Sequence, residues 1–425
     1  MLSSLDSVAS TPVSHDRDRV NILFLSDNFP PERNASATRV YERACYWVKD
    51  GHRVTVITSA PNFPEGKVFP GYRNRGAVEE RDGIRVVRVR TFISPNTGFF
   101  LRTADFVSYM LAAVAAGLVE EEPDLVAATS PQFLAAVGGW MLARLRRVPF
   151  VFELGDLWPA SIEAVGASRN LALLAALEEV ELFLYRESAA VAALTRRFKE
   201  DLVRRGISAG HVAVVRNGVD LPRWAPRERD AAFAREWGLE GRFVVGYLGT
   251  HGMAHGLGNV LDAAERLRDT DVTFLLVGAG AEREALVAEG ARRGLRNVVF
   301  VPARDKADMP RVWSLCDVAL VHLKDDPVFG TVIPSKIFEA MGMGLPILLV
   351  SPDGEAREIV EGEGAGLWVP AGRPDAFAAA VRALRSDPAR RGRLAAASRA
   401  AAPLHGRKRQ ADEMLDVFRA ALADA

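Results

Sequence analysis

Two stretches of this chain contain the same three features in the same order. These are a continuous apolar run, a loop of small or polar residues, and apolar residues at helical spacing. In the first half Val20–Asp27 is followed by the helical pattern of Arg39–His52, and in the second Phe243–Leu248 is followed by Asn259–Leu267. An apolar run bounded by turn residues is typical of a strand buried on both faces, as in parallel sheets. Strand, loop, helix and strand form the doubly wound unit, whose ligands bind beyond the carboxyl ends of its strands.

Further apolar runs continue this alternation in both halves, and 425 residues are too many for a single hydrophobic core. The fold class predicted is therefore α/β, with two doubly wound, Rossmann-like domains. We divide the chain into a flexible tail (1–19), a first domain (20–210), a second domain (211–399) and a C-terminal helix that packs back on the first domain (400–425).

The composition excludes several classes of function. Lys plus Arg equals Asp plus Glu at 54 each, so no overall field attracts nucleic acid or an anionic membrane. The two cysteines, Cys45 and Cys316, lie far apart and have neither disulfide nor metal-site spacing. The first 20 residues lack the basic and apolar regions of a secretory signal. These features predict a cytoplasmic protein.

One apolar segment leaves two interpretations open. Phe106–Val119 is shorter than the roughly 20 residues that span a bilayer, so it predicts a buried helix. Phe92, Phe99, Phe100 and Arg102 precede it, and together with Arg90 they would also suit a helix resting on the inner face of the membrane.

Glycine-rich loops follow two of the predicted strands of the second half. Gly249, Gly252, Gly256 and Gly258 lie between a strand and a helix, and Gly278–Glu284 repeats the arrangement. Free backbone N–H groups beside a helix N-terminus favour an anion such as phosphate, although tight packing also explains glycines. The spacing differs from the G-x-G-x-x-G fingerprint of nicotinamide dinucleotide sites, so we do not predict a dehydrogenase.

The segment Thr331–Leu348 places single charges among apolar and small residues. Ser335 and Lys336 would lie at a helix N-terminus, where amide groups and an ammonium suit a diphosphate. Glu339 follows one turn later and can accept hydrogen bonds from a ribose diol. An internal Lys–Glu ion pair is the structural alternative.

Five motifs in order resemble the retaining GT-B glycosyltransferases of family 4. They are GHRVTVIT, VVRNGVD, GYLGTHGMAHGLGNVLDAA, LLVGAGAERE and PSKIFEAMGMGLPIL. PNFPEGKVFPGY, FELGDLWPASI and VIPSKIFEAMGMG look like the WbuB branch, which implies transfer of an N-acetylated amino sugar in surface-polysaccharide assembly. The family implies a UDP-sugar donor in the second domain, and a saccharide, lipid-linked or small-molecule acceptor in the first.

Carried over motif by motif, the resemblance and the glycine loops imply a set of donor-binding residues. These are Asn217, Gly249, Thr250, His251, His255, Gly280, Glu282, Pro302, Arg304, Ser335, Lys336 and Glu339. The small-residue stretch Asn34–Thr38 replaces the usual Gly-Gly and would face the donor phosphates and the acceptor. The candidate catalytic residues are Glu153, Asp156 and Lys336.

The chain departs from the family pattern in three respects. Thr331 stands where the first glutamate of the E-x7-E element is expected, with Asp325 or Asp326 as weak substitutes. His255 replaces the phosphate-binding lysine, and Thr250 or His251 replaces the arginine. No Asp-x-Asp pair is present, so the diphosphate is expected to be stabilised without an obligatory metal. Two rival functions are a non-hydrolysing UDP-sugar 2-epimerase and a non-catalytic sugar-binding protein.

Overall fold

The computed structural model describes residues 19–32, 34–63, 65–94, 99–130, 132–157 and 171–424. Most of the predicted tail lies outside this range, as does the 158–162 end of the FELGDLWPASI motif.

The first domain is built on an eight-stranded sheet with the order β3-β4-β2-β1-β5-β6-β7-β8. All neighbours pair in parallel except β3 and β4. Its strands are β1 (Asn21–Leu25), β2 (Arg53–Ser59), β3 (Ala77–Arg81), β4 (Ile84–Val89), β5 (Leu125–Thr129), β6 (Phe150–Leu154), β7 (Ala190–Ala193) and β8 (Val212–Val214). Its described helices are α1 (Ala35–Lys49), α2 (Phe99–Gly117), α3 (Phe133–Arg146), α4 (Leu171–Glu187) and α5 (Arg196–Arg204).

The central strands are apolar throughout because helices cover both faces of the sheet. On one face Tyr109 of α2, Phe133 of α3 and Leu182 of α4 share a core with the sheet. On the other face the core contains α1 and the last helix of the chain. The sheet extends past residue 210, where the sequence placed the domain boundary, because β8 pairs with β7.

The second domain has a six-stranded parallel sheet with the order β11-β10-β9-β12-β13-β14. Its strands are β9 (Phe243–Leu248), β10 (Val272–Val277), β11 (Val298–Val301), β12 (Val318–His322), β13 (Ile347–Ser351) and β14 (Gly366–Pro370). Its helices are α6 (Ala231–Glu236), α7 (Gly258–Arg266), α8 (Arg283–Arg292), α9 (Met309–Trp313), α10 (Lys336–Met343), α11 (Glu355–Gly362), α12 (Pro374–Ser386) and α13 (Pro388–Ala401). The prediction of two Rossmann-like domains is confirmed.

The last helix, α14 (Arg407–Ala423), returns to the first domain as predicted. Trp47 of α1 donates its indole N–H to the carbonyl of Ala411 at 2.8 Å, and its ring lies 5.3 Å from that of Phe418. Both rings are fully buried. Two helices that are far apart in sequence therefore form one layer of the first domain.

Charged side chains join the two domains at two places. Glu42 of α1 accepts hydrogen bonds from Lys306 of the second domain at 2.5 Å and from Arg407 of α14 at 2.9 Å. The fully buried Glu355 of α11 accepts from the backbone N–H of Arg196 at 2.7 Å and from the side chain of Arg216 at 2.8 Å. These contacts set how the carboxyl ends of the two sheets face each other.

Among the helices described, none combines the length and the apolar character that crossing a bilayer requires. The apolar segment predicted as a buried or interfacial helix lies in α2, where Tyr109 and Ala113 pack into the core while Leu101 and Leu111 remain about half exposed.

Candidate functional site

Each sheet has a topological switch point, a pair of neighbouring strands at which the direction in which the chain adds new strands reverses. In the second sheet this switch point lies between β9 and β12, which are neighbours although two other strands separate them in sequence. The imidazole of His322, at the end of β12, donates from Nδ1 to the carbonyl of His255 at 2.7 Å, and the backbone N–H of Lys324 donates to the carbonyl of Ala254 at 2.9 Å. The loop after β9 is thereby held against the end of β12.

The glycines of these loops permit close backbone contact. A Cβ on Gly278 would lie 1.8 Å from the carbonyl oxygen of Gly249, and one on Gly280 would lie 2.4 Å from that of His251. The backbone N–H groups of His251 and Glu282 donate to Ala279 and His251 respectively, which ties the loop after β9 to the loop after β10. Packing therefore accounts for Gly278 and Gly280 without a ligand.

Lys336, the first residue of α10, points towards this switch point. Its ammonium lies 3.2 Å from the hydroxyl of Tyr247 and 4.4 Å from the centre of that ring, and it forms no salt bridge with any described carboxylate. It also borders Gly249, where a Cβ would approach Nζ to 3.2 Å. Burial lowers the pKa of Lys336 to about 8, although the charge of Glu339 opposes that shift.

Two imidazoles beside Lys336 lack hydrogen-bond partners. His251 is fully buried, and neither ring nitrogen is hydrogen-bonded; Nδ1 of His255 is also unpaired. Burial, together with the charges of Arg283 and Lys336, lowers the pKa of His251 to about 4, and burial and Lys336 lower that of His255 to about 3. Both rings are neutral at pH 7. Buried polar atoms are rarely left unpaired, so this group has unused hydrogen-bonding capacity next to a cation.

Ser335, Lys336 and Glu339 lie at the start of α10 as predicted. Lys336 and Glu339 do not form the internal ion pair that was the structural alternative. Ser335 caps the helix without a side-chain hydrogen bond, leaving its hydroxyl available. Glu339 accepts a hydrogen bond from the indole of Trp313 at 3.3 Å and forms no salt bridge with Lys336. Burial raises the pKa of Glu339. The two charges are therefore held separately, each near the open end of the sheet.

Other predicted donor residues surround this group at different distances from it. Thr250 is exposed, and its carbonyl accepts from Tyr247 at 2.7 Å. Pro302 is exposed directly after β11. The guanidinium of Arg304 lies 5.3 Å from the centre of the Trp237 ring and pairs with Glu236 at 3.3 Å. Arg304 therefore lies against α6, away from the Lys336 ammonium.

Three sequence-based assignments need correction. Asn217 does not point to an open donor site: it is buried and its side-chain oxygen accepts from Arg407 at 3.0 Å, so it fastens the inter-domain turn to α14. Asn34–Thr38 is the start of α1 and not a loop, because the Asn34 side chain accepts from the N–H of Ala37. The third is Glu153.

Glu153 is fully buried at the end of β6, and one carboxylate oxygen pairs with both Arg39 and Arg43 of α1. Burial alone would raise its pKa, but the two guanidinium groups outweigh burial and lower it to about 2. Glu153 therefore holds α1 on the sheet and has no access to a ligand. Asp156 is partly exposed, and its backbone N–H donates to the hydroxyl of Ser130 at 3.3 Å, so it remains at the edge of the cleft.

Asp325 and Asp326, the suggested substitutes for the first glutamate of the E-x7-E element, make other contacts. Asp326 accepts from the N–H of Val328 and caps the turn Pro327–Thr331. The carboxylate of Asp325 lies against Gly372, where a Cβ would approach it to 2.8 Å. Thr331 itself contacts the first domain, since its carbonyl accepts from the hydroxyl of Thr195 at 3.0 Å.

Sequence reasoning missed Tyr247, Lys306 and Glu42. Tyr247 had the pattern of a buried strand residue, and it is buried, but its hydroxyl supports Lys336. Lys306 and Glu42 are in different domains, so no local pattern signals their contact. Among the residues described, no group of three His, Cys, Asp or Glu side chains could hold a metal ion.

The lowered pKa of Lys336 predicts how stability depends on pH. An ammonium with an ordinary pKa of about 10.4 in the unfolded chain destabilises the fold by about 3 kcal/mol when its pKa falls to about 8. This cost is full below about pH 8 and disappears towards pH 10.4, because the folded protein loses the proton first. We expect Lys336→Met to raise the free energy of unfolding at pH 7, in urea titrations, and the gain to vanish at high pH.

The exposed Lys67 offers a control, because Lys67→Met should leave stability unchanged at both pH values. A Lys336→Met protein that is less stable than wild type at pH 7 would show that the ammonium supports the fold.

Two family models match the chain. The model described as Glycosyl transferase 4-like domain matches residues 34–218, and the one described as Glycosyl transferases group 1 matches residues 242–387. Together they cover most of both domains; the first match ends at the inter-domain turn and the second begins just before β9.

Relatives and solved structures agree with these matches. The colanic acid biosynthesis glycosyl transferase WcaI of Escherichia coli is 25% identical over 335 residues, which are 76% of this chain and 82% of WcaI. A GDP-mannose-dependent alpha-mannosyltransferase of Mycobacterium tuberculosis is 27% identical over 84% of this chain and 87% of its own length. The crystal structure of Anabaena HepE with UDP and glucose has a TM-score of 0.70 at 20% identity, covering 94% of this chain and 100% of HepE. The chain belongs to the GT-B glycosyltransferases, with a glycosyl transferase 4-like first domain and a group 1 second domain.

Proposed function

We propose that the protein is a retaining glycosyltransferase that moves a sugar from a UDP-sugar to a hydroxyl group of a saccharide, lipid-linked saccharide or small-molecule acceptor. The observation that carries this proposal is the position of Lys336. An ammonium that is buried and forms no salt bridge with any described carboxylate lies at the β9/β12 switch point, beside the unpaired nitrogens of His251 and His255. A dianionic diphosphate would supply the missing charge and the missing hydrogen-bond acceptors.

Glycosyl transfer requires a cation or hydrogen-bond donors beside the diphosphate. When the bond between the sugar C1 and the diphosphate oxygen breaks, negative charge develops on the diphosphate, and fixed donors that stabilise this charge lower the barrier. Lys336 and the first turn of α10 would provide them. The new bond joins C1 to the acceptor oxygen on the same face, and the acceptor proton passes to the departing diphosphate. No metal is required in this scheme.

The nucleoside part is assigned on weaker grounds to Glu339 and the loop after β11. Glu339 lies one turn beyond Lys336, within the span of a diphosphate and ribose. The UDP bound in HepE supports uridine, whereas the mannosyltransferase relative uses GDP-mannose. The resemblance to the WbuB branch supports an N-acetylated amino sugar, and the name of WcaI supports a role in surface-polysaccharide assembly. We propose that Asp156 orients acceptor or sugar hydroxyl groups.

A panel of nucleotides tests the donor assignment. We expect UDP, but not GDP or ADP, to raise the melting temperature, since a ligand stabilises the fold according to its affinity. Lys336→Ala should weaken UDP binding at least about 100-fold in calorimetry, because about 3 kcal/mol of charge-assisted bonding is lost. Lys67→Ala is the matched control and should bind as wild type does.

If Lys336→Ala bound UDP as wild type does, the diphosphate would not lie at Lys336. If GDP alone stabilised the protein, the donor nucleoside would be guanosine and not uridine. Incubation with UDP-N-acetylglucosamine alone separates transfer from the 2-epimerase alternative. Formation of the 2-epimer without an acceptor would rule out the proposed reaction, and the absence of any UDP release with all acceptors would indicate a binding protein.

UDP binding should also be linked to protonation. Burial and the charge of Lys336 hold His251 and His255 neutral at pH 7, facing Tyr247 and His322, and a bound dianion would raise the pKa of both rings. We therefore expect affinity for UDP to fall as pH rises from about 4, the higher of the two pKa values in the free protein, towards the raised pKa values of the bound form. Calorimetry in two buffers of different ionisation enthalpy should show proton uptake.

Lys336 complicates this measurement above neutrality, because its pKa of about 8 would also rise when an anion binds. His255→Gln separates the two effects: it should reduce the uptake below pH 7 to the share contributed by His251 and keep the uptake near pH 8. Equal uptake by wild type and His255→Gln over the whole range would exclude His255 as a diphosphate contact.

A contact with the membrane is part of the proposal. Leu101 and Leu111 on α2 and Phe92 before it are about half exposed, and Arg90 and Arg102 are exposed nearby. An apolar surface flanked by arginines suits a peripheral contact with anionic lipid.

Flotation with vesicles containing phosphatidylglycerol tests this contact. We expect wild type to float and Leu111→Asp to remain in the dense fraction, because a charge in the apolar contact opposes insertion. Leu404→Asp changes an equally exposed leucine in the second half and should not alter flotation. Flotation of Leu111→Asp at the wild-type level would remove the contact from the proposal.

A further inference from the structure

A second cation approaches the loop after β9 from the side opposite to Lys336. Arg283 is the first residue of α8, which follows β10, and β10 and β12 lie on the two sides of β9. The loops after β10 and β12 therefore flank the loop after β9. Lys336 reaches that loop from the β12 side, where it borders Gly249. Arg283 lies on the β10 side.

Backbone contacts fix the start of α8 against His251. The N–H of Glu282 donates to the carbonyl of His251 at 3.0 Å, and the N–H of Arg283 donates to that of Gly280 at 3.1 Å. A Cβ on Gly278 would lie 3.2 Å from Nε2 of His251. Arg283 thus directly follows a residue that is hydrogen-bonded to His251.

The Arg283 side chain lacks a counter-ion among the described residues. It is partly exposed, but its Nε is buried and has no hydrogen-bond partner. At the other end of the same helix, Arg292 and Arg293 both pair with Glu289, at 2.6 and 2.5 Å. A buried polar atom without a partner is uncommon, and on a guanidinium it is costly. The unpaired nitrogen indicates that Arg283 lacks an anionic partner.

Arg283 and Lys336 both act on one imidazole. After burial, the charge of Arg283 and then that of Lys336 lower the pKa of His251. This ring is fully buried and neither of its nitrogens is hydrogen-bonded, so it lies within reach of both cations. Residues 249–258 contain no lysine or arginine, so the neighbouring loops supply the positive charge. Two like charges repel each other, and an anion bound between them removes that repulsion.

We propose that Arg283 is a second diphosphate-binding residue, which holds the donor diphosphate from the β10 side while Lys336 holds it from the β12 side. This inference rests on the proposed glycosyl transfer and adds a binding residue to the same site. A guanidinium donates two parallel N–H groups to one phosphate, which an ammonium cannot do. A single ammonium would leave one of the two phosphates without a cation.

The two cations divide the diphosphate between them. Glu339, which the proposed function assigns to the nucleoside, lies one turn beyond Lys336 on the same helix. The phosphate attached to the ribose therefore lies at Lys336, and the outer phosphate, which carries the sugar, extends towards Arg283. Since neighbouring strands are about 4.8 Å apart, β10 and β12 are about 10 Å apart across β9, a gap that two long side chains and a diphosphate span together. Negative charge develops on the outer phosphate when the sugar leaves, so Arg283 stabilises the leaving group.

Calorimetry with UDP and with UMP, on the full chain, tests this division. We expect Arg283→Met to weaken UDP binding about 30-fold and UMP binding less than about threefold, because UMP lacks the outer phosphate. Arg283→Lys should recover part of the UDP affinity, since it keeps the charge but loses the planar pair of donors. Arg296, exposed before β11 at the opposite end of the sheet, supplies the control, and Arg296→Met should bind both nucleotides as wild type does.

Two results would overturn the role of Arg283. One is UDP binding by Arg283→Met within about threefold of wild type, and the other is an equal loss of UDP and UMP affinity, as a general disturbance of the site would produce. If the methionine variant does not fold, Arg283→Gln, which keeps a polar side chain without charge, should show the same selective loss.

Inorganic pyrophosphate separates this inference from the proposed function. A wild type that binds neither UDP nor UMP would refute the proposed function, but two cations that hold a diphosphate need no nucleoside. We expect wild type to bind pyrophosphate and Arg283→Met to bind it about 30-fold more weakly. Equal pyrophosphate affinity in the two proteins, or none in the wild type, would refute the assignment of Arg283 whatever the nucleotide.

Discussion

The site depends on one constraint: in a parallel sheet every strand ends at the same edge. The chain builds outward from β1 and from β9 in both directions, so the loops after β1 and β5, and after β9 and β12, diverge and leave a crevice between them. Among the described residues, buried side-chain nitrogens without a hydrogen-bond partner lie in the loops after these strands. They belong to His251 and His255 in one domain and to Gln132 in the other. The candidate site at β9/β12 follows from this topology and not from any single motif.

Lys336 and Glu153 show how burial leads to different outcomes. Both charges are removed from water, but two guanidinium groups surround Glu153 and lower its pKa to about 2, so its ionised form is stable. Lys336 has a hydroxyl and an aromatic face beside it and no salt-bridged carboxylate among the described residues, and its pKa falls to about 8. A buried charge with partners supports the fold, whereas one without a counter-ion is ready for a ligand of opposite charge.

Charged contacts hold the two domains against each other. Glu42 links α1 to Lys306 and α14, and Glu355 links α11 to the start of α5. Lys306 also lies close enough to Glu339 for its charge to act on that carboxyl group. A change at Glu339 is therefore adjacent to a contact that holds the first domain.

The sequence by itself determined the two doubly wound domains, since continuous apolar runs and helical periodicity are local signals of strands covered on both faces. It also located Lys336, Glu339 and the glycine loops, because a charge among apolar residues at a helix start is unusual wherever it occurs. The tertiary structure decided which polar residues have partners. Glu153 and Asn217 looked like ligand contacts until Arg39, Arg43 and Arg407, which are more than a hundred residues away, were found to pair with them. Pairing between distant residues leaves no local pattern, so the difference between a structural charge and an available one is visible in the folded chain alone.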